Sequence, residues 1–245
     1  MGSEYTAIAS MYDSFRGESP NMWAAYIDEL FGIYAETKPV SVIDLCCGTG
    51  TVTAAMCRLG YKMTGVDISE DMLALAQRNA PDAFLVHQDM RSLQLYGEHD
   101  ACVSCLDSIN YLPCEEDVLR TFSAVNRYLR KGGLFIFDVN TEERFKNKYG
   151  NNDFILENKN GLIAWSCEYH PRLKRCDFYL SCFTPDPDGR YSRRDEEQSE
   201  YCYSDKFLRE AANEAGFEVL ASLGRMSLSA PEENCEKIHY VLRKI

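Results

Sequence analysis

The sequence predicts an α/β fold, a doubly wound parallel sheet carrying one inserted antiparallel sheet, and three features support it. Between residues 39 and 139, short apolar runs alternate with amphipathic segments, the pattern of successive β-α units feeding a parallel sheet. The first run ends in an acid and a glycine-bearing turn, Asp44-Leu45-Cys46-Cys47-Gly48-Thr49-Gly50, where a strand hands over to a helix and backbone can approach a ligand. From 141 to 205 the helical spacing gives way to consecutive strand-like runs, as in an antiparallel meander. A length of 245 residues suits one large domain, or one domain with an insertion, and is enough to bury a sizeable core.

The parallel strands are expected at 40–45, 62–66, 83–87, 100–105 and 134–139, each a short apolar run. Between them, 51–59, 70–79 and 115–130 carry apolar residues at helical spacing. Ser69 caps the second helix, and Lys131-Gly132-Gly133 ends the last. In the insertion, 162–169 and 176–183 read as strands, followed by a turn at Pro185-Asp186-Pro187-Asp188-Gly189. Residues 205–215 form a helix stopped by Gly216, after which 217–223 and 237–242 close the sheet as a pair of strands. The expected boundaries are 1–140 with 205–245 for the main domain and 141–204 for the inserted sheet on the acceptor side.

Hydrophobic residues make up 45% and charged residues 26%, the balance of a globular chain rather than a disordered or fibrous one. Acids outnumber bases, 38 to 26, and the formal net charge of −12 repels a phosphate backbone, so no nucleic-acid partner is expected. The longest apolar stretch, Leu134-Phe135-Ile136-Phe137, stops at Asp138, and Met1-Gly2-Ser3-Glu4 lacks the basic and apolar regions of a leader. No membrane association and a cytoplasmic location follow as expectations. The eleven cysteines, an odd number set mostly in apolar segments, read as reduced core residues. Cys102 and Cys105 form a C-x-x-C pair, but within an expected buried strand their side chains face opposite sides. With four scattered histidines, no metal site is expected.

The candidate binding residues fall at successive strand ends. Asp67 ends the second strand about twenty residues beyond Gly48, where a carboxylate can accept from both hydroxyls of a ribose. A dinucleotide would need G-x-G-x-x-G with its pyrophosphate on the helix N-terminus, whereas the third glycine position is Thr53. A sulfonium cofactor carries a cationic centre and an amino-acid tail, so Asp44, which would repel pyrophosphate, becomes useful. After the third strand, Asp89 can accept from an adenine amino group, while the Met90 amide donates to the ring and its thioether packs on the face. Each acid alone would read as a cap or loop residue, but three at three strand ends point to one nucleoside site.

These residues resemble a class I S-adenosylmethionine-dependent methyltransferase, and more narrowly the bacterial small-molecule methyltransferases, which include amino-sugar N-methyltransferases and a cytosolic group with unassigned substrates. The likeness covers nearly the whole chain. It rests on Tyr5-x-x-Ile8-Ala9-x-x-Tyr12-Asp13, on Asp44 to Gly50, on Gly65-Val66-Asp67-Ile68-Ser69-x-x-Met72-Leu73, and on Gln88-Asp89-Met90-Arg91. It continues through Cys105-Leu106-Asp107-Ser108-Ile109-Asn110-Tyr111-Leu112, the run from Leu129 to Asp138, and Ala215-Gly216-Phe217. The usual acid-x-G-x-G-x-G has Cys46 in place of its first glycine. The resemblance implies a Rossmann-like seven-stranded sheet with an antiparallel last strand, S-adenosyl-L-methionine as cofactor and S-adenosyl-L-homocysteine as product. It places Asp44 and Gly48 near the methionine tail, with Cys46 and Gly50 in the same turn. Asp67 then binds the ribose, Ile68 is among the cofactor-binding residues, Asp89 and Met90 hold adenine, and Leu106 lines the cofactor. Tyr12, with Tyr5, would close the pocket from an N-terminal helix.

Methyl transfer is an in-line displacement on an activated sulfonium, so the protein mainly aligns the nucleophile and excludes water. The Asn/Asp-Pro-Pro-Tyr tetrapeptide that similar enzymes use on planar amides and bases is absent after strand four. Asp107 and Tyr111 are the candidate catalytic groups, with His170 and Tyr201 as further bases or orienters. The aromatics Phe154, Trp165, Tyr169, Phe178, Tyr179, Phe183, Tyr191, Tyr201 and Tyr203 could roof the acceptor pocket, though cross-strand pairing within their own sheet accounts for most of them. The mixed-charge run 190–197 reads as a solvated edge or hairpin. The expected activity is N- or O-methylation of a small molecule in a pocket between the 107–111 loop, the Tyr12 helix and the insertion. A regulator that binds S-adenosylmethionine or S-adenosylhomocysteine without chemistry, or a tRNA methyltransferase, are the alternatives. The inserted sheet offers an edge through which two copies could form a homodimer.

Overall fold

Strand β1 (Ser41–Leu45) is buried on both faces and sits in a seven-stranded sheet between two parallel neighbours, β2 (Lys62–Asp67) and β4 (His99–Ser104). The coordinates, a computed structural model, describe residues 9–15 and 19–245. β3 (Phe84–His87) forms one edge beyond β2, and β5 (Leu129–Asn140) lies beyond β4. β11 (Lys237–Lys244) inserts antiparallel between β5 and β10 (Phe217–Gly224), so the order is β10-β11-β5-β4-β1-β2-β3. This is the mixed sheet, antiparallel at its last strand, that the resemblance implied.

Period-2 alternation along β5 serves both faces of the sheet. Phe135, Phe137 and Val139 face a core closed by α5 (Glu115–Tyr128) and α6 (Asp205–Glu214), through Phe122 and Leu208. Leu134 and Ile136 face the opposite core, closed by Trp23, Leu30 and Phe31 of α2 (Pro20–Tyr34) and by Val52 and Met56 of α3 (Thr51–Arg58). α4 (Glu70–Asn79) has the expected bounds because Ser69 caps it, its hydroxyl accepting from the Met72 amide at 3.3 Å. The helix expected to run to 130 ends at Tyr128, and β5 starts at once. Lys131-Gly132-Gly133 does not stop the helix. It passes a bulge between β4 and β5, where a Cβ on Gly133 would stand 2.8 Å from the Arg130 carbonyl oxygen.

The segment after β5 begins with a π-type helical turn, Arg144–Tyr149, and then builds a four-stranded antiparallel sheet. Its strands in order are β6 (Asp153–Asn158), β7 (Gly161–His170), β8 (Arg175–Pro185) and β9 (Tyr191–Tyr201). β6 was not foreseen from the sequence. The expected solvated edge at 190–197 is the outer strand β9, exposed at its start but burying Glu196, Gln198 and Glu200. Trp165 and Phe178 pack on each other, on Phe154 and on Tyr149, with Met11 of α1 (Ala9–Phe15) in the same cluster. Those aromatics form the sheet's own buried face.

Among the described residues no helix is long and apolar enough to cross a membrane. All eleven cysteines are free, and Cys102 and Cys105 are buried.

Candidate functional site

A cleft opens where the parallel strands end, the usual ligand position in an open α/β sheet. Asp44, Cys46 and Gly48 reach it after β1, Asp67 and Ile68 after β2, Asp89 and Met90 after β3, and Leu106 and Tyr111 after β4, with Tyr12 of α1 facing them. Tyr5 lies outside the described residues.

The β1 turn is bent as a ligand cradle requires. Cys46 adopts φ 62° and Gly48 φ 55°, so the cysteine itself holds a left-handed angle that favours glycine, at a cost of about 1–2 kcal/mol. The Cys47 amide donates to the Val66 carbonyl at 2.9 Å, fixing the turn against β2. Gly50 does not line the cleft: it caps α3 at φ 74°, where a Cβ would come within 2.8 Å of the Ala76 Cβ. Its place in the site is to let α3 lie against α4.

Asp67 accepts the Gly48 amide on Oδ2 at 2.7 Å and the Ser69 amide on Oδ1 at 2.9 Å. Burial raises its pKa and the backbone amides oppose that shift, yet each oxygen retains lone pairs for a diol. Asp44 is buried and accepts from the Thr53 hydroxyl at 2.5 Å, so the residue occupying the third glycine position of a dinucleotide turn instead orients the acid. Thr49 donates to Asp13 at 2.9 Å and Thr51 to the same oxygen at 3.3 Å, tying α1, and with it Tyr12, to the turn.

Asp89 has a partner that the sequence reading missed. Arg91 Nε donates to both its oxygens at 2.9 Å, and Arg91 Nη1 donates onward to Asp117 at 3.0 Å. Burial pushes the Asp89 carboxyl up, but Arg91 outweighs it and the net pKa falls. The cue was the Arg two residues after the acid. Met90 sits across the cleft floor with its thioether 3.5 Å from the Cys46 sulfur.

Beyond β4 the chain makes a second strained turn, Leu106 at φ 62° and Asp107 at φ 60°. That turn sends Asp107 away from the cleft, which corrects the expectation that it stands beside Tyr111 as base or orienter. Its Oδ1 accepts from Lys237 Nζ at 2.9 Å and its Oδ2 from Asn140 Nδ2 at 2.6 Å. Burial raises its pKa, but Lys237 and Arg144 outweigh that and hold it down, whereas at Asp138 burial wins. Tyr111 does line the cleft, and its hydroxyl donates to Gln198 Oε1 on β9 at 3.0 Å. Gln198 Nε2 in turn donates to Glu196, which fixes the orientation of that amide. His170 is not a cleft residue; it pairs with Asp177 at 3.0 Å. Tyr201 contributes its carbonyl oxygen to Asn110 Nδ2 at 2.9 Å and lies off the cleft as well. Among the described residues none of β6 to β9 lines the cleft, and the sheet meets the cleft wall through the Tyr111–Gln198 bond.

Three acids at successive strand ends, with Arg91 tied to Asp89 and Asp117, suit a nucleoside bearing a positive centre rather than a pyrophosphate. Among the described residues no group of three or more histidines, cysteines or acids is placed to hold a metal ion.

A model of the methyltransferase domain matches residues 42–133. A protein of Geobacillus sp. (strain WCH70), provisionally named a methyltransferase, is 29% identical over 98% of this chain and 99% of its own length. The dTDP-3-amino-3,4,6-trideoxy-alpha-D-glucopyranose N,N-dimethyltransferase of Streptomyces venezuelae is 30% identical over 132 residues, 53% of this chain and 56% of its own. Among solved structures, an S-adenosylmethionine-dependent methyltransferase from Clostridium acetobutylicum superposes with a TM-score of 0.85 at 26% identity, over 97% of this chain and 96% of its own. An S-adenosylmethionine-bound amino pentose methyltransferase from Micromonospora echinaspora shares the fold at TM-score 0.79 and 18% identity, with 100% of each chain covered.

Proposed function

We propose, from the premise that this chain is an S-adenosylmethionine-dependent methyltransferase of the class I fold, that it methylates a small molecule at nitrogen or oxygen. When bound, the cofactor supplies a methyl group already activated on a cationic sulfur. Asp67 is set for the ribose, Asp89 and Met90 for adenine, and Asp44 for the positive end. Of the other lining residues, Tyr12, Ser108, Tyr111, Leu112 and Pro113 are the ones we assign to the acceptor side.

The observation that carries the acceptor class is the withdrawal of Asp107 onto Lys237. With Tyr111 acting as a donor to Gln198, the acids among the described lining residues are Asp44, Asp67 and Asp89, all on the cofactor side. An acceptor that needs no strong base fits such a wall: an amine that gives up its proton to water, or a hydroxyl acidic enough to ionise unaided. Amines come first, in keeping with the amino-sugar N-methylation named for the Streptomyces venezuelae relative. The formal charge of −12 weighs against an RNA acceptor.

The test incubates purified protein with methyl-labelled S-adenosylmethionine and a metabolite extract, then fractionates by mass and charge. Label in a low-mass amine fraction is the expected result. Label in RNA would replace the acceptor class, and no transfer by a protein that still binds S-adenosylhomocysteine would make it a regulator.

A further inference from the structure

Lys237 opens β11 at 3% exposure and meets two carboxylates, Asp107 at 2.9 Å and Asp138. Its ammonium also lies 6.0 Å from the Trp23 ring. A buried ion cluster of this kind gains little over well-packed apolar side chains, so stability alone does not explain it. Its position does. Asp107 and Leu106 hold two consecutive left-handed backbone angles without glycine, a conformation that persists only where its surroundings over-determine it. Four bonds do so: Lys237 Nζ and Asn140 Nδ2 each take one Asp107 oxygen, the Asp107 amide donates to Asp138 Oδ2 at 3.0 Å, and the Asp107 carbonyl accepts the Asn110 amide at 2.8 Å. On either side of that residue the chain delivers Leu106, Ser108 and Tyr111 to the cleft.

We propose that Lys237 is a positioning residue for the cofactor: by holding the Asp107 and Asp138 carboxylates together, it fixes the Leu106–Asp107 turn that shapes the β4 wall of the cleft. The same carboxylate is tied through Asn140 Nδ2, at 2.7 Å, to Glu200 of β9, so the second sheet braces the turn from the far side. The Lys237 ammonium bonds Asp107 and Asp138, neither of which lines the cleft, so its effect on binding is indirect. The inference rests on the cofactor reading of the cleft.

Lys237→Met leaves two buried carboxylates without a cation, so it is paired with the charge-balanced Lys237→Met/Asp138→Asn, whose Asn can still accept the Asp107 amide. Two quantities are measured well below the melting temperature: the Kd for S-adenosylhomocysteine by calorimetry, and amide exchange along the chain. The expected result, in whichever variant folds, is a Kd raised at least tenfold and exchange over 106–111 accelerated at least tenfold, with 62–67 and 84–87 unchanged. Kd and loop exchange within twofold of wild type would overturn the proposal. So would failure of the charge-balanced variant to fold, which would mark Lys237 as a plain structural residue. If wild-type protein bound no S-adenosylhomocysteine, the cofactor reading would fall, and the exchange readout, which needs no ligand, would still decide the role of Lys237.

Discussion

Asp67 is organised before any ligand arrives: two backbone amides hold its oxygens at 2.7 and 2.9 Å, and burial keeps water from competing. Removing it leaves two amides unsatisfied and, in the ribose-binding role proposed for it, takes away charge-assisted bonds. Asp67→Ala is therefore expected to weaken S-adenosylhomocysteine binding by about 2 kcal/mol, read by calorimetry on folded protein. An unchanged Kd would remove Asp67 from the site. At this scale the convergence of Asp44, Asp67 and Asp89 on one cleft was legible, because acids at strand ends follow from the chain's own order. Asp107 was not legible. Its neighbour Tyr111 points into the cleft, but the left-handed angles that turn Asp107 toward Lys237, far along the chain, are set by tertiary contacts that sequence spacing does not encode. Arg91 was visible as a motif residue, while its pairing with Asp117 on α5 depends on how that helix packs.

Among the elements, β9 departs furthest from what its composition suggests. A run of charged residues usually lies in solvent, yet here Glu196, Gln198 and Glu200 alternate inward and meet Tyr111, Asn140 and one another. Desolvation pushes the Glu200 carboxyl up to about 8, with the Asp107 charge adding to the shift. A carboxyl whose folded pKa exceeds its unfolded value binds more protons in the native state. Its contribution is full below the unfolded pKa near 4.3 and is lost as pH rises through about 8. Glu200→Gln keeps an acceptor for Asn140 and does not titrate. Its melting temperature is expected to fall less than that of wild type between pH 5 and 8.5, where one such group changes stability by up to about 1.4 kcal/mol per pH unit. Parallel pH curves for the two proteins would show that Glu200 is not held neutral. β6 and the early start of β5 were missed for a related reason: one needs its partner β7 to be recognised, and the other uses glycines as a bulge rather than a stop.

Across the whole molecule, the β-α succession and the insertion could be read from the chain, since hydrophobic periodicity and glycine placement are local, while the antiparallel sense of the closing strand came from the resemblance. What could not be read is how the second sheet meets the first. Its aromatics pack inward on Phe145 and Tyr149, and it braces the cleft through Gln198 and Glu200 without lining it. Among the described residues, those lining the cleft come from the strand ends of the first sheet and the turns after them, with Tyr12 of α1, Val52 of α3 and Met72 of α4. A ligand that binds only the native state adds RT ln(1 + [L]/Kd) to stability, about 2.7 kcal/mol at a hundred times Kd. For a chain of 245 residues that corresponds to about 5–10 °C. The most direct measurement is the melting temperature with S-adenosylmethionine, S-adenosylhomocysteine or NAD at matched concentrations. The two sulfur nucleosides are expected to raise it by several degrees and NAD to leave it unchanged; stabilisation by NAD with no response to S-adenosylhomocysteine would contradict the assignment.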